Sequence, residues 1–192
     1  MMDLDKLYVM DDACLYGAFD TFAEEGLDDI AIAGAERLPE KPIVCRHSMG
    51  GKPRDLVGTG YGTMILLSSR VVGILREKEF TGWTTYPVEV YGKRGERIDG
   101  YHGFAVTGRC GPVHWNKARR ERRPPPVPNG CGYDVLVGAY ISPRSWDGTD
   151  IFMPKGTTYI IVLEPVMQAL TKAKVSNIGF ERLTELERSW DV

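Results

Sequence analysis

The chain has 192 residues, 43% hydrophobic and 26% charged, enough for one domain with a sizeable core or two small ones. Its formal net charge of −2 argues against a general attraction to nucleic acid or anionic membrane, and no apolar run approaches the ~20 residues that span a bilayer. Acids in the opening MMDLDKLYVMDD stand where an export signal would carry bases, so a cytoplasmic protein with four reduced cysteines is expected.

In chain order, Leu7 to Met10 reads as an opening strand, Leu15 to Phe22 as a helical turn or loop, and Ile30 to Leu38 as weakly helical. Pro39 and Pro42 stop that helix, and PIVCRH follows as a strand. Gly50 to Gly62 is glycine-rich and irregular. Next, MILL leads into the helix RVVGILREKE, with Ser68 or Ser69 as its N-cap. WTTYPVEVY and RIDGYHGFAV flank the turn-like GKRGE, and Pro87 places an edge or a bulge in the first of them. The segment Arg109 to Gly132 is an irregular excursion. VLVGAYI, DIFMP and TTYIIVL read as strands, PVMQALTKAK as a helix with Pro165 in its first turn, and NIGFERL as a final strand.

Two of these stretches share one pattern without a gap, 95 positions apart. Ile65 to Val90 lies over Ile160 to Glu185, so that Ile65 meets Ile160, Val71 meets Val166 and Leu75 meets Leu170. Thr81-Gly82 falls on Ser176-Asn177, in each case a small polar residue before one that tolerates positive φ. The expected fold is therefore α+β, mostly antiparallel sheet, with a duplicated strand–helix–strand unit at 65–90 and 160–185. A single domain over 1–192 is expected. If the glycine-rich stretch divides it, 1–60 is an N-terminal segment and 61–192 the remainder.

Chemical signatures are sparse. Gly51-Lys52 resembles the end of a phosphate loop, but Pro53 stands where Ser or Thr should be, and a flexible loop is the simpler reading. Cys45, His47, Cys110, His114 and Cys131 supply zinc-type ligands without a C-x-x-C pair, so no metal and no cofactor are expected. An enzyme or ligand-binding site, if there is one, falls on Cys110, His114 and Asp147 beside the irregular 109–132 loop. Asp147-Gly148 also reads simply as a turn. Arg119, Arg120, Arg122 and Arg123, followed by Pro124, Pro125, Pro126 and Pro128, are expected to form an exposed, mobile arm that could dock an acidic partner.

The segments SSRVVGILREKEFTGWTTYPVEV and WDGTDIF, with the later SNIGFERL, resemble the immunity-like proteins of bacterial polymorphic toxin systems and related myxobacterial paralogues of unknown function. The resemblance covers roughly Leu66 to Leu186. One paralogue group carries two C-x-x-C-G motifs that this chain lacks, so no metal site is carried over. The resemblance implies a non-enzymatic cytoplasmic protein that binds and neutralises a toxin. The alternative is a small enzyme or ligand-binding domain at the 109–132 loop.

Overall fold

The structure, a computed structural model, describes residues 3–189. The first half runs β1 (Leu7–Asp12), β2 (Asp20–Ala23), α1 (Asp29–Ala33), β3 (Ile43–Met49), β4 (Leu56–Gly58), β5 (Ile65–Ser68), α2 (Ser69–Glu77) and β6 (Trp83–Tyr86). It continues with β7 (Val88–Tyr91), β8 (Arg97–Ile98), β9 (Tyr101–Val106), β10 (Gly108–Cys110), β11 (Arg119–Arg123) and β12 (Tyr133–Val137). The chain closes with β13 (Ile151–Pro154), β14 (Ile160–Leu163), α3 (Glu164–Lys172), β15 (Ile178–Arg182) and β16 (Glu187–Ser189). The fold is α+β with mostly antiparallel sheets; the parallel pairs are β3 with β7 and β10 with β13.

The two matched stretches fold alike. β5, α2 and β6 begin and end 95 residues before β14, α3 and β15, apart from one further residue in β15. Both helices leave through a left-handed residue, Glu79 at φ 55° and Lys174 at φ 52°, and both second strands open on another, Gly82 at φ 88° and Asn177 at φ 63°. Helix exits also match: Phe80 N donates to Leu75 O, and Val175 N donates to Leu170 O. The equivalence extends upstream, since Leu56 and Val57 of β4 pair with Leu67 and Leu66 as Ile151 and Phe152 of β13 pair with Val162 and Ile161. The two sheets have the same order, β4-β5-β9-β6 and β13-β14-β1-β15, with β10 added to the second. The opening strand β1 thus lies inside the sheet built from the end of the chain.

Alternation along the strands builds the core in layers. Ile65 and Leu67 face a central cluster that Ile160 and Val162 enter from the other unit, together with Val71, Leu75, Val166 and Leu170 from α2 and α3. Leu66 and Val57 face a second cluster with Ile43, Cys45 and Tyr86, and Ile161 and Phe152 face a third with Leu7, Val9 and Cys110. The twinned units therefore bury their helices against one shared core. Each keeps an outer layer of its own.

An exchanged pair of carboxylates locks the units together. Asp150 Oδ2 accepts from Thr81 N and Thr81 Oγ1, both at 2.8 Å, and Asp55 Oδ2 accepts from Ser176 N at 2.8 Å and Ser176 Oγ at 3.1 Å. The return bonds match too, from Asp150 N to Thr81 Oγ1 and from Asp55 N to Ser176 Oγ.

Several expectations change. Within the Leu15–Phe22 stretch, Asp20 onward is strand β2, held against β3. The glycine-rich segment contains β4, whose three residues are too short to show periodicity. Pro87 breaks WTTYPVEVY: β6 joins one sheet and β7 another, and Pro87 O accepts from Ile43 N. The arginine arm is instead β11, an edge strand paired with β12. Its prolines begin where the ladder ends, so their missing N–H groups cost no sheet bond.

Candidate functional site

Cys110, His114 and Asp147 are each engaged by the fold. Cys110 is buried in the third cluster, and burial first, then the Asp147 carboxylate, push its thiol pKa up to about 12, so it stays protonated at neutral pH. Asp147 is occupied as a turn cap: its carboxylate accepts from Arg109 N at 2.6 Å, Thr149 Oγ1 at 2.6 Å and Thr149 N at 3.0 Å. Burial alone would raise its pKa, but these bonds hold it below the usual carboxylate range. His114 donates its backbone N–H to Tyr140 O at 2.7 Å. Cys110 lines a cavity of about 630 Å³ with Ile30, Glu36, Met153 and Lys155, and neither His114 nor Asp147 borders it. The four cysteines are unbonded, Cys110 buried and Cys131 exposed.

The arginines of β11 are tied down by carboxylates. Arg120 and Arg122 both meet Asp134 on β12, Arg123 meets Glu121 and Glu187, and Arg119 lies 3.4 Å from Glu121. The hydrogen bond from Arg120 leads in holding Asp134 below the usual carboxylate range. Mutual repulsion is therefore offset within the sheet, which is why the run can be a strand rather than a solvated arm. The guanidiniums of Arg119, Arg120 and Arg122 remain exposed on that edge.

A different surface concentrates exposed apolar groups. Leu15, Tyr16 and Met49 are all exposed, Tyr16 completely. Leu15, Tyr16 and Met49 border a cleft of about 320 Å³ whose floor includes Phe19 and Asn177 and whose walls include Asp12 and Asp20. The loop carrying it is pinned. Leu15 N donates to Asn177 Oδ1 at 3.0 Å, Ala13 N to Asn177 O at 3.3 Å, and Cys14 N to Asp12 Oδ1 at 2.6 Å. On the far side, Phe19 N donates to Lys52 O and Gly51 N to Gly17 O. Gly50 permits this approach, because a Cβ there would fall 1.7 Å from Ala18 O.

Among the described residues no group of three His, Cys, Asp or Glu side chains is placed to hold a metal ion, and no helix is long and apolar enough to cross a membrane. Compared with protein-family models and with curated proteins, the chain matches none. Reading the sequence for catalytic residue types passed over the cleft, since Leu15, Tyr16 and Met49 resemble ordinary core residues. The one available signal was an aromatic-rich stretch, LYGAF, flanked on both sides by aspartates.

Proposed function

We propose that the chain is a non-enzymatic protein-binding module, an immunity-like protein that neutralises a co-encoded toxin by covering part of its surface. One observation carries the binding reading: three large apolar side chains, Leu15, Tyr16 and Met49, are exposed around one cleft whose backbone is pinned by hydrogen bonds. A preformed apolar patch loses little conformational freedom on docking, which favours partner binding. The toxin arm of the reading is supported by the resemblance of SSRVVGILREKEFTGWTTYPVEV and WDGTDIF to immunity-like proteins.

The test pairs the chain with the product of the neighbouring toxin gene. Calorimetry measures complex formation, and growth of toxin-expressing cells measures protection. The double variant Tyr16→Ala, Met49→Ala should keep its melting temperature and lose about 30-fold or more in affinity, as interface anchors do. Reversal of Arg122 and Arg123 to Glu in the same assay measures what β11 adds. Full protection by the folded double variant removes the cleft from the reading. Failure of the neighbouring product to bind the wild-type chain removes the toxin.

A further inference from the structure

We infer that the cleft between Asp12 and Asp20 receives a lysine or arginine side chain of the protein partner, set among apolar partner residues that cover Leu15, Tyr16 and Met49. This inference rests on the protein-binding reading above and names the chemistry of its occupant. The apolar rim and the charge of the walls point to it independently.

The rim supplies burial without sign. Tyr16 stands clear of the protein and Met49 projects beside it, both bordering the same opening. An aromatic ring and a flexible thioether beside a cavity suit the methylene stem of a long basic side chain. A guanidinium would also gain from the face of the Tyr16 ring.

The walls supply the sign. Among the described residues, Asp12 and Asp20 are the charged ones that border the cleft, and no basic side chain borders it. Asp11 lies beside them in sequence. Among the described residues none of these three carboxylates forms an ion pair. Burial raises the Asp12 pKa, and the charges of Asp20 and Asp11 raise it further, so the site keeps its negative charge at a cost. Other acids do meet cations: Asp134 and Glu187 hold arginines of β11, and Asp55 holds Arg70. An incoming cation would offset the repulsion among Asp12, Asp20 and Asp11, which the bonds from Cys14 N to Asp12 and from Thr21 N to Asp20 leave in place. The formal net charge of −2 is too small to do this by general attraction, so the effect is local.

The experiment uses the full chain and three capped peptides of one apolar frame, carrying two lysines, two norleucines or two glutamates. Binding is followed by amide shifts of the ¹⁵N-labelled chain. The lysine peptide should move amides at 12–20 and 47–50, and the glutamate peptide should not. Affinity should fall about tenfold in the variant Asp12→Asn, Asp20→Asn, and again on raising salt from about 0.05 to about 0.5 M. Asparagine keeps the acceptor oxygens that Asp12 offers Cys14 N and Asp20 offers Thr21 N, so the loop should hold its shape while losing charge. Equal binding of the norleucine or glutamate peptide overturns the cation and leaves the apolar docking surface standing. If no peptide moves these amides while the neighbouring toxin still binds elsewhere, both the cation and the cleft are overturned.

Discussion

Gly82 and Asn177 occupy the same place in the two units, each with left-handed φ at the start of a second strand, yet they solve its problem differently. At Gly82 the missing side chain lets the Ile151 carbonyl approach; a Cβ there would sit 1.9 Å from that oxygen. At Asn177 the side chain itself meets the equivalent carbonyl, Nδ2 donating to Leu56 O at 3.1 Å, while its Oδ1 accepts Leu15 N. Asparagine tolerates this backbone region and adds two bonds in return. The same divergence marks the locking carboxylates. Asp55 takes Ser68 Oγ at 2.7 Å and Arg70 at 2.8 Å in addition to Ser176, whereas the positions matching Ser68 and Arg70 are Leu163 and Pro165. A repeated backbone has been kept while the polar groups that secure it differ.

The largest effect should come from Gly82→Ala, costing about 3–4 kcal/mol, because its new methyl meets a backbone carbonyl and its φ is unfavourable. Urea unfolding checks this. A loss below about 1 kcal/mol would show that the two units are not held as closely as they appear. Asn177→Gly keeps the backbone conformation and forfeits two side-chain bonds, so about 1–2 kcal/mol is expected.

Asp55→Ala should cost about 3 kcal/mol, since it strands Ser176 N and Ser68 Oγ near a buried position, and Asp150→Ala about 1–2 kcal/mol. Equal losses would mean that Ser68 and Arg70 contribute nothing to the lock. Acid titration sharpens the contrast. Burial pushes the Asp55 pKa up, but the bonds from Ser176 and Ser68 and the Arg70 charge outweigh it and hold the value below that of the unfolded chain. The stabilisation is therefore present above about pH 4 and is lost as pH falls through the lower folded value. The stability gap between wild type and Asp55→Asn should stay level from pH 7 to about 5 and close at lower pH.

The smallest effects belong to the surface. Asp12 shows the opposite sign, its folded pKa raised, so its charge lowers stability as pH rises through the carboxylate range. Asp12→Asn should leave the melting temperature at pH 7 unchanged or slightly higher. Reversing Arg122 and Arg123 to Glu sets like charges against Asp134 and Glu187, and a modest drop in melting temperature, greater at low salt, is expected in place of the neutral result an unpaired arm would give.

Much of the architecture was legible because the relevant signals are local. The spacing of Val71 and Leu75, repeated at Val166 and Leu170, marks two helix faces, and the small polar residue before Gly82 or Asn177 marks two matching exits. Ser68 was readable as an N-cap, and its hydroxyl accepts from Val71 N at 3.3 Å. What escaped depends on partners distant in sequence. β4 has three residues and becomes a strand by pairing with β5, and the arginines of β11 are tolerable because Asp134 and Glu187 arrive from later strands. The candidate site escaped for the same reason. Leu15 and Tyr16 look like core residues until Asn177 and Lys52 pin their loop at the surface.

Sequence by itself determined the two strand–helix–strand units, their apolar faces and the turns that end their helices, since propensity and periodicity act within a few residues. Tertiary structure decided that the opening strand lies inside the sheet of the second unit, that Asp55 and Asp150 reach across to lock the opposite units, and which acids are neutralised. These are contacts between residues far apart in sequence, such as Tyr8 with Arg182, 174 positions on, and no local pattern encodes them. Charge and burial gain their energetic meaning when folding brings the partners together, and so the cleft at Asp12 and Asp20, where acids meet without a cation, becomes visible in the folded chain.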